Sequence, residues 1–135
     1  MSVGIDVVDV GRLKEALSRT PELEARLFTP AERDYCETKV DPSVHLAGTL
    51  AAKEAVMKAL HLVPLIVWAS KIEVLRDPSG APHARVSGSP ANIELSISHD
   101  GPVAAAIAIA GRTQPRAPDR ATELGPWLDK IGEAI

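Results

Sequence analysis

Four ionisable residues occupy positions where their types and spacing could support phosphate chemistry. Asp6 interrupts an apolar N-terminal segment, Glu54 and Lys58 stand one helical turn apart in a long apolar segment, and His99 ends an alternating segment. Two carboxylates from different elements can hold Mg²⁺ together with its waters and phosphate oxygens. A lysine can neutralise a phosphate as a point charge, and a histidine can donate to it or move a proton near neutral pH. Together these residues predict a metal- and phosphate-binding site.

Each of these residues also has a simpler interpretation. Glu54 and Lys58 have the i,i+4 spacing of an ordinary helical ion pair, which could lie at the edge of the core. Asp6 could bond to the backbone at a strand end, and His99 could be a polar residue at a turn. The residue types alone leave both interpretations open.

The long apolar segment at about 44–60 is predicted to be the helix that presents Glu54 and Lys58. At about 100° per residue, both charges fall inside its apolar arc. The arc consists of Leu46, Ala47, Leu50, Ala51 and Met57. A buried charge is costly unless it is paired or bound to a metal. We therefore expect the carboxylate and the ammonium on the inward face of this helix to have a specific role.

The remaining pattern predicts an α+β domain in which this long core helix packs against an antiparallel sheet. Asp9 is a candidate N-cap, Thr20-Pro21 opens a short helix, and Thr29, Pro30 and Glu32 form a capping-box pattern. The predicted strands are 3–8, 71–76, 83–86, 93–98 and 103–110. An Asp-Gly hairpin signal separates the last two strands.

Composition excludes several classes of protein. The 135 residues suffice for one domain. The net charge of −3 and the aromatic content of 3% argue against a nucleic-acid-binding surface. No apolar run is long enough to span a membrane. Cys36 is the single cysteine, so no intramolecular disulfide is possible. With no signal-peptide pattern at the N-terminus, we expect a cytoplasmic protein.

The C-terminal part differs from the rest of the chain. Residues 1–111 are predicted to be the domain, 112–122 a linker rich in proline and arginine, and 123–135 an amphipathic helix. The helical spacing is carried by Leu124, Trp127, Leu128, Ile131 and Ile135. Such a helix could fold back on its own core or dock on another subunit or partner.

The amino-acid sequences of several segments resemble those of the holo-[acyl-carrier-protein] synthase family of 4′-phosphopantetheinyl transferases. Their order and spacing match across about residues 3–110. The segments are 4–6 (GID) followed by Arg12, 27–32 (LFTPAE), 51–59 (AAKEAVMKA) and 95–99 (LSISH). The resemblance implies a homotrimer with active sites at the subunit boundaries.

The resemblance also implies a reaction. Such enzymes transfer 4′-phosphopantetheine from coenzyme A to a serine of an apo acyl carrier protein, need Mg²⁺ and release adenosine 3′,5′-bisphosphate. Asp6 and Glu54 would bind the metal, and both would be catalytic together with Lys58. Glu54 or a water that it holds would accept the serine proton.

The substrate-binding residues implied by the same motifs are Lys53, Lys58, His99 and Arg12. Lys58 would contact the coenzyme A phosphates, and His99 would lie beside the nucleotide. Arg12 and the first helix would dock the acidic carrier protein of a fatty-acid or polyketide synthase. The charges around Arg12 are mixed in sign, however, and also fit an ordinary solvated helix face.

Two departures from the family pattern bear on activity. Thr49 stands where the family usually has an arginine, which could bind phosphate in a bidentate manner. The segment 61–68 is bulky and apolar where the family often has a glycine-bearing turn, and it could pack on the core or bind a ligand. The alternative function is therefore a non-catalytic carrier-binding or regulatory subunit derived from this family.

Overall fold

The computed structural model describes residues 1–111, which form six strands and five helices. The strands are β1 (Ser2–Asp9), β2 (Ile72–Arg76), β3 (Pro82–Val86), β4 (Ser89–Pro90), β5 (Ile93–Asp100) and β6 (Val103–Ala110). The helices are α1 (Val10–Arg19), α2 (Glu22–Leu27), α3 (Pro30–Glu37), α4 (Pro42–Leu60) and α5 (Leu65–Trp68). The predicted linker at 112–122 and helix at 123–135 lie outside the described residues.

Two antiparallel three-stranded sheets account for the strands, and the predicted α+β class is confirmed. The larger sheet has the order β1-β6-β5, and the smaller sheet has the order β2-β3-β4. The first strand of the chain thus pairs with the last described one, Ser2 opposite Ala110 and Asp9 opposite Val103. This pairing closes the domain and places β1 at one edge of the larger sheet, with β5 at the other.

Helix α4 packs against one face of the larger sheet at very short range. Gly4 permits this approach, because a Cβ at this position would lie 1.8 Å from the carbonyl oxygen of Ala55. The residues of β6 that face the helix are alanines, all buried: Ala104, Ala106, Ala108 and Ala110. Small side chains on both surfaces therefore bring the backbone of β1, and Asp6 with it, next to the middle of the helix.

The opposite face of the larger sheet is uncovered within residues 1–111. Val3, Ile5 and Val7 of β1 are exposed there, and Ile107 of β6 lies directly opposite Ile5. An exposed apolar patch on a sheet commonly marks an interaction site.

Helix α4 is buried on almost every side, which corrects the predicted one-sided arc. Only Glu54 and Lys58 are not fully buried between Leu46 and Ala59, and Lys58 is exposed rather than inward-facing. The lysine inside the protein is Lys53. Both sheets, α1 and α3 contact this helix, and a helix covered on all sides has no single apolar arc.

The local signals at helix starts are largely confirmed. Asp9 caps α1 by accepting a hydrogen bond from the backbone N–H of Arg12 at 2.8 Å, and Thr29 and Glu32 form the predicted capping box of α3. Helix α4 begins two residues earlier than expected, because Asp41 is its N-cap and proline is well suited to the first helical position.

The apolar segment 61–68 both packs on the core and remains partly exposed. Leu62, Leu65 and Trp68 pack against the buried cluster around α4, whereas Val63 and Ile66 are exposed. In the part of the chain that the structure describes, no helix has the length and hydropathy needed to cross a membrane.

Candidate active site

Asp6, Glu54 and Lys58 meet where β1 crosses α4. The Lys58 Nζ donates to Asp6 Oδ1 at 2.8 Å and to the backbone oxygen of Ile5 at 2.9 Å. The Asp6 side chain is 13% exposed and the Lys58 side chain 54%. Strand geometry explains the encounter, because Asp6 and Gly4 alternate onto the same face, the one that packs against α4. The partner of Lys58 is therefore Asp6 and not the Glu54 of the simple i,i+4 interpretation.

The pKa of Glu54 is raised above its ordinary value. Burial is the main cause, the nearby charge of Asp6 adds to the rise, and Lys58 opposes it. A carboxylate with a raised pKa is a better proton acceptor near neutral pH than an ordinary one.

This cluster fits a cation with oxygen ligands. Two half-buried carboxylates from separate elements lie near one lysine, which offsets their charge. Mg²⁺ is commonly held in proteins by one or two carboxylates, with waters and substrate phosphates as the other ligands. Within residues 1–111 no group of three or more histidine, cysteine, aspartate or glutamate side chains could hold a metal ion.

His99 lies in a separate part of the site, a cavity of about 180 Å³ between α3, α4, β2 and β5. Its ring stacks edge to face on His45, with 5.8 Å between the ring centroids. Tyr35 stacks in turn on His45, and the Arg76 guanidinium lies 5.2 Å from the Tyr35 ring centroid. Two histidines, an arginine and an aromatic ring suit a planar or anionic ligand.

The pKa of His45 is lowered, first by burial and then by the positive charges of Lys39, His99 and Arg76. Sequence reasoning missed His45, Arg76 and Tyr35. They come from three different elements, and no spacing within the chain links them to His99.

The histidine cavity and the carboxylate cluster lie on the same face of the larger sheet but on opposite edge strands. Asp6 on β1 is opposite Ala106, which is opposite Ile97 on β5, two residues before His99. Two strand spacings and two residues along the strand separate the Cα atoms of Asp6 and His99 by about 12 Å. The structure therefore brings Asp6, Glu54 and Lys58 together and places His99 at a distance that a long ligand would span.

The predicted substrate-binding residue Lys53 and the departure from the family pattern at Thr49 both lie in the core. Lys53 is fully buried and bonded to Glu32 and to the backbone oxygen of Leu27, so its position argues against the predicted contact with substrate. Thr49 is 2% exposed, and its hydroxyl donates to the backbone oxygen of His45 at 2.8 Å. An arginine at this position would start inside the protein. Arg12 is exposed on α1.

Comparison with known proteins decides the family. The model of the 4′-phosphopantetheinyl transferase superfamily matches residues 2–110. The chain belongs to this superfamily. The transferase fold and the family predicted from the residues are thereby confirmed, and the predicted C-terminal linker and helix lie beyond the matched residues.

Relatives and solved structures agree with this assignment. The holo-[acyl-carrier-protein] synthase of Salinispora arenicola is 43% identical over 121 residues, 83% of this chain and 98% of the relative. That of Frankia alni is 41% identical over 119 residues, 82% of this chain and 96% of the relative. The ACPS–CoA complex of Chronobacterium ammoniagenes is 32% identical, covers 82% of this chain and 98% of its own, and has a TM-score of 0.70.

Proposed function

We propose that this chain transfers 4′-phosphopantetheine from coenzyme A to a serine of an apo acyl carrier protein and releases adenosine 3′,5′-bisphosphate. The observation that carries the proposal is the cluster of Asp6, Glu54 and Lys58, in which Lys58 Nζ lies 2.8 Å from Asp6 Oδ1. Two relatives named holo-[acyl-carrier-protein] synthase are 41% and 43% identical, and the similar Chronobacterium ammoniagenes structure is a complex with CoA.

Each member of the cluster has a role in this reaction. The Lys58 side chain is half-exposed, so its ammonium can move from Asp6 to a phosphate oxygen by a change of rotamer, with no change in the backbone of α4. Asp6 and Glu54 would hold Mg²⁺, which when bound offsets the charge on the phosphates. Glu54, with its raised pKa, accepts the proton that the carrier-protein serine loses on attack, directly or through a water that it orients.

The histidine cavity would take the nucleotide end of coenzyme A. Arg76 and His99 supply cationic or donor groups, and Tyr35 and His45 supply ring surfaces. A long substrate that reaches from this cavity to the carboxylate cluster would cover the distance between the two parts of the site. Arg12, on the exposed side of α1, would contact the acidic carrier protein of a fatty-acid or polyketide synthase.

Assembly into a homotrimer is part of the proposal. The uncovered face of the larger sheet includes Val3, Ile5, Val7 and Ile107, and Val7 directly follows Asp6 along β1. A subunit seated on this face would bury the apolar side chains. The carboxylate cluster faces α4 on the other side of β1, so this subunit would approach the cluster around the edge that β1 forms. The buried free thiol of Cys36 and the use of coenzyme A fit a cytoplasmic location.

Mass spectrometry of a carrier protein tests the activity. With Mg²⁺ and coenzyme A, the wild-type chain should add the mass of phosphopantetheine to an apo carrier protein, and Asp6→Ala and Glu54→Ala should each abolish the addition. Glu22→Ala removes an exposed carboxylate of α2, outside the cluster and outside the uncovered sheet face, and should retain full activity. Full transfer by both site variants would overturn the assignment, and no transfer by the wild type to several carrier proteins would favour the non-catalytic alternative.

Analytical ultracentrifugation tests the assembly. Ile5→Asp should convert the trimer to monomers and abolish transfer, because it places a charge in the apolar face. Ile66→Asp is the matched control, since Ile66 is exposed to a similar extent, 57% against 62% for Ile5, but lies on α5. A wild-type monomer, or a trimer that persists in Ile5→Asp, would contradict the proposed interface.

A further inference from the structure

An ion pair inside the protein has no part in the proposed reaction. The Lys53 Nζ donates to Glu32 Oε2 at 2.7 Å, and both side chains are fully buried. The same ammonium donates to the backbone oxygen of Leu27 at 2.7 Å. Lys53, in the middle of α4, therefore points toward the start of α3 and not toward solvent.

The Glu32 carboxylate joins three elements. Its Oε1 accepts a hydrogen bond from the backbone N–H of Val74 in β2 at 2.8 Å. Its Oε2 accepts from the backbone N–H of Thr29 at 2.8 Å, in addition to the Lys53 Nζ. Because these donors come from α4, β2 and the N-cap of α3, they fix the position of α4 relative to the other two elements.

The remaining surface of α4 offers little to hold it in place. Its buried residues include five alanines with almost no exposed area: Ala47, Ala51, Ala52, Ala55 and Ala59. Opposite them lie Gly4 and the alanines of β6. Helices usually lock their rotation by fitting large side chains into grooves, and an interface of methyl groups has few such ridges. Lys53 is the largest fully buried side chain on this helix, and its ammonium donates to two oxygens, that of Leu27 at the end of α2 and that of Glu32 in α3.

Stability alone is a weak reason for such a pair. Replacing a buried ion pair by uncharged residues of similar size is often neutral or stabilising, whereas removing one partner is strongly destabilising. Polar groups buried in a helical interface can instead set its register. Lys53 directly precedes Glu54 in the chain, and the two side chains point about 100° apart around the helix axis. Without the ion pair, a rotation of α4 would therefore move the Glu54 carboxylate relative to Asp6.

We propose that Lys53 and Glu32 are a positioning pair, which fixes the rotation and axial position of α4 and thereby holds Glu54 opposite Asp6. The inference rests on the proposed role of Glu54 in catalysis. It assigns to Lys53 a function without substrate contact, and it explains why two lysines of the same helix have different environments.

The test uses the double variant Lys53→Met/Glu32→Gln, which removes both charges and conserves side-chain length. Transfer is measured in the full-length chain at a temperature where every variant is folded. We expect kcat to fall at least tenfold with little change in the KM for coenzyme A, because misplacement of a catalytic group by about 1 Å can cost about a hundredfold in rate. Ile72→Ala, which opens a cavity at a fully buried side chain of β2 that takes no part in the hydrogen bonds of the pair, is the control for lost stability and should retain kcat.

A second measurement does not depend on activity. Hydrogen–deuterium exchange should accelerate for the α4 amides of residues 54–59 in the double variant, and not selectively in Ile72→Ala. Wild-type kcat and unchanged exchange in the double variant would overturn the inference, as would an equal loss of kcat in both variants. A wild-type chain without transfer activity would instead refute the proposed function, and the exchange pattern would still decide whether the pair fixes the helix.

Discussion

The substitution Gly4→Ala separates a strand from a helix and should damage both stability and the candidate site. A Cβ at Gly4 would lie 1.8 Å from the Ala55 carbonyl oxygen and 2.8 Å from the Ala59 backbone nitrogen, whereas ordinary contacts begin at 3.4 Å. The backbones of β1 and α4 must therefore move apart by about 1.6 Å. Both contacting atoms belong to the backbone of a buried helix, so no side-chain rotation can relieve the overlap.

The expected effect on stability follows from this displacement. Overpacking of a core costs about 1–3 kcal/mol, and we expect Gly4→Ala at the upper end of that range or above it. A shift of this size also stretches the 2.9 Å bond from Lys58 Nζ to the Ile5 oxygen beyond hydrogen-bond length. The transfer rate should therefore fall along with stability.

Gly11→Ala is the matched control for this experiment. Gly11 is exposed in α1, and a Cβ there would make only an ordinary 3.4 Å contact with Asp9 Oδ1. Alanine is favoured over glycine in a helix by up to about 1 kcal/mol, so this variant should be as stable as the wild type or more so. Denaturant unfolding and the carrier-protein mass assay measure both variants. Equal stability and equal transfer rates for the two would refute the close-approach reasoning.

Three further substitutions probe other features of the site. Thr49→Arg should lose about 3–5 kcal/mol of stability, because it buries an unpaired guanidinium, and calorimetry should show weaker binding of coenzyme A. Tighter binding of coenzyme A would contradict the buried placement of this position. Thr49→Val is the control. Lys58→Met should reduce kcat/KM about a hundredfold by removing a charge-assisted contact to phosphate, and an unchanged value would exclude that contact. The lowered pKa of His45 means that the unfolded chain binds more protons below about pH 6.5, so stability should fall as the pH decreases through this range. His45→Phe should flatten that decrease in unfolding experiments from pH 7.5 to 5, and a slope equal to that of the wild type would show that another group is responsible.

Local chemistry could be predicted well from the sequence. The caps at Asp9 and Thr29 depend on residues three positions apart, and the alternation of Ile93, Leu95 and Ile97 depends on a strand period of two. Asp6, Glu54 and Lys58 were candidates because charged residues are unexpected in apolar segments. Such signals are contained within a few neighbouring residues, so no knowledge of the fold is needed to read them.

The direction of the side chains on α4 could not be predicted in the same way. Periodicity indicated Lys58 as the inward lysine, yet Lys53 is buried and Lys58 is half-exposed. A helix covered on several sides has no single apolar arc, and the choice between two lysines depends on where Glu32 lies. That position is set by the packing of α3 against α4, which is a property of the tertiary structure.

The sequence by itself determined most of the elements, the caps of α1 and α3 and the residue types of the candidate site, because these follow from local periodicity and from the family motifs. It did not predict α5 or β4. Only the tertiary structure decided which of those residues meet. It placed Asp6 against Lys58 across 52 positions of the chain, added His45 and Arg76 to the surroundings of His99, and assigned Thr49 to the core. The physical reason is that these encounters depend on the pairing of β1 with β6 and on the close packing of Gly4 against α4, which join segments distant in the chain.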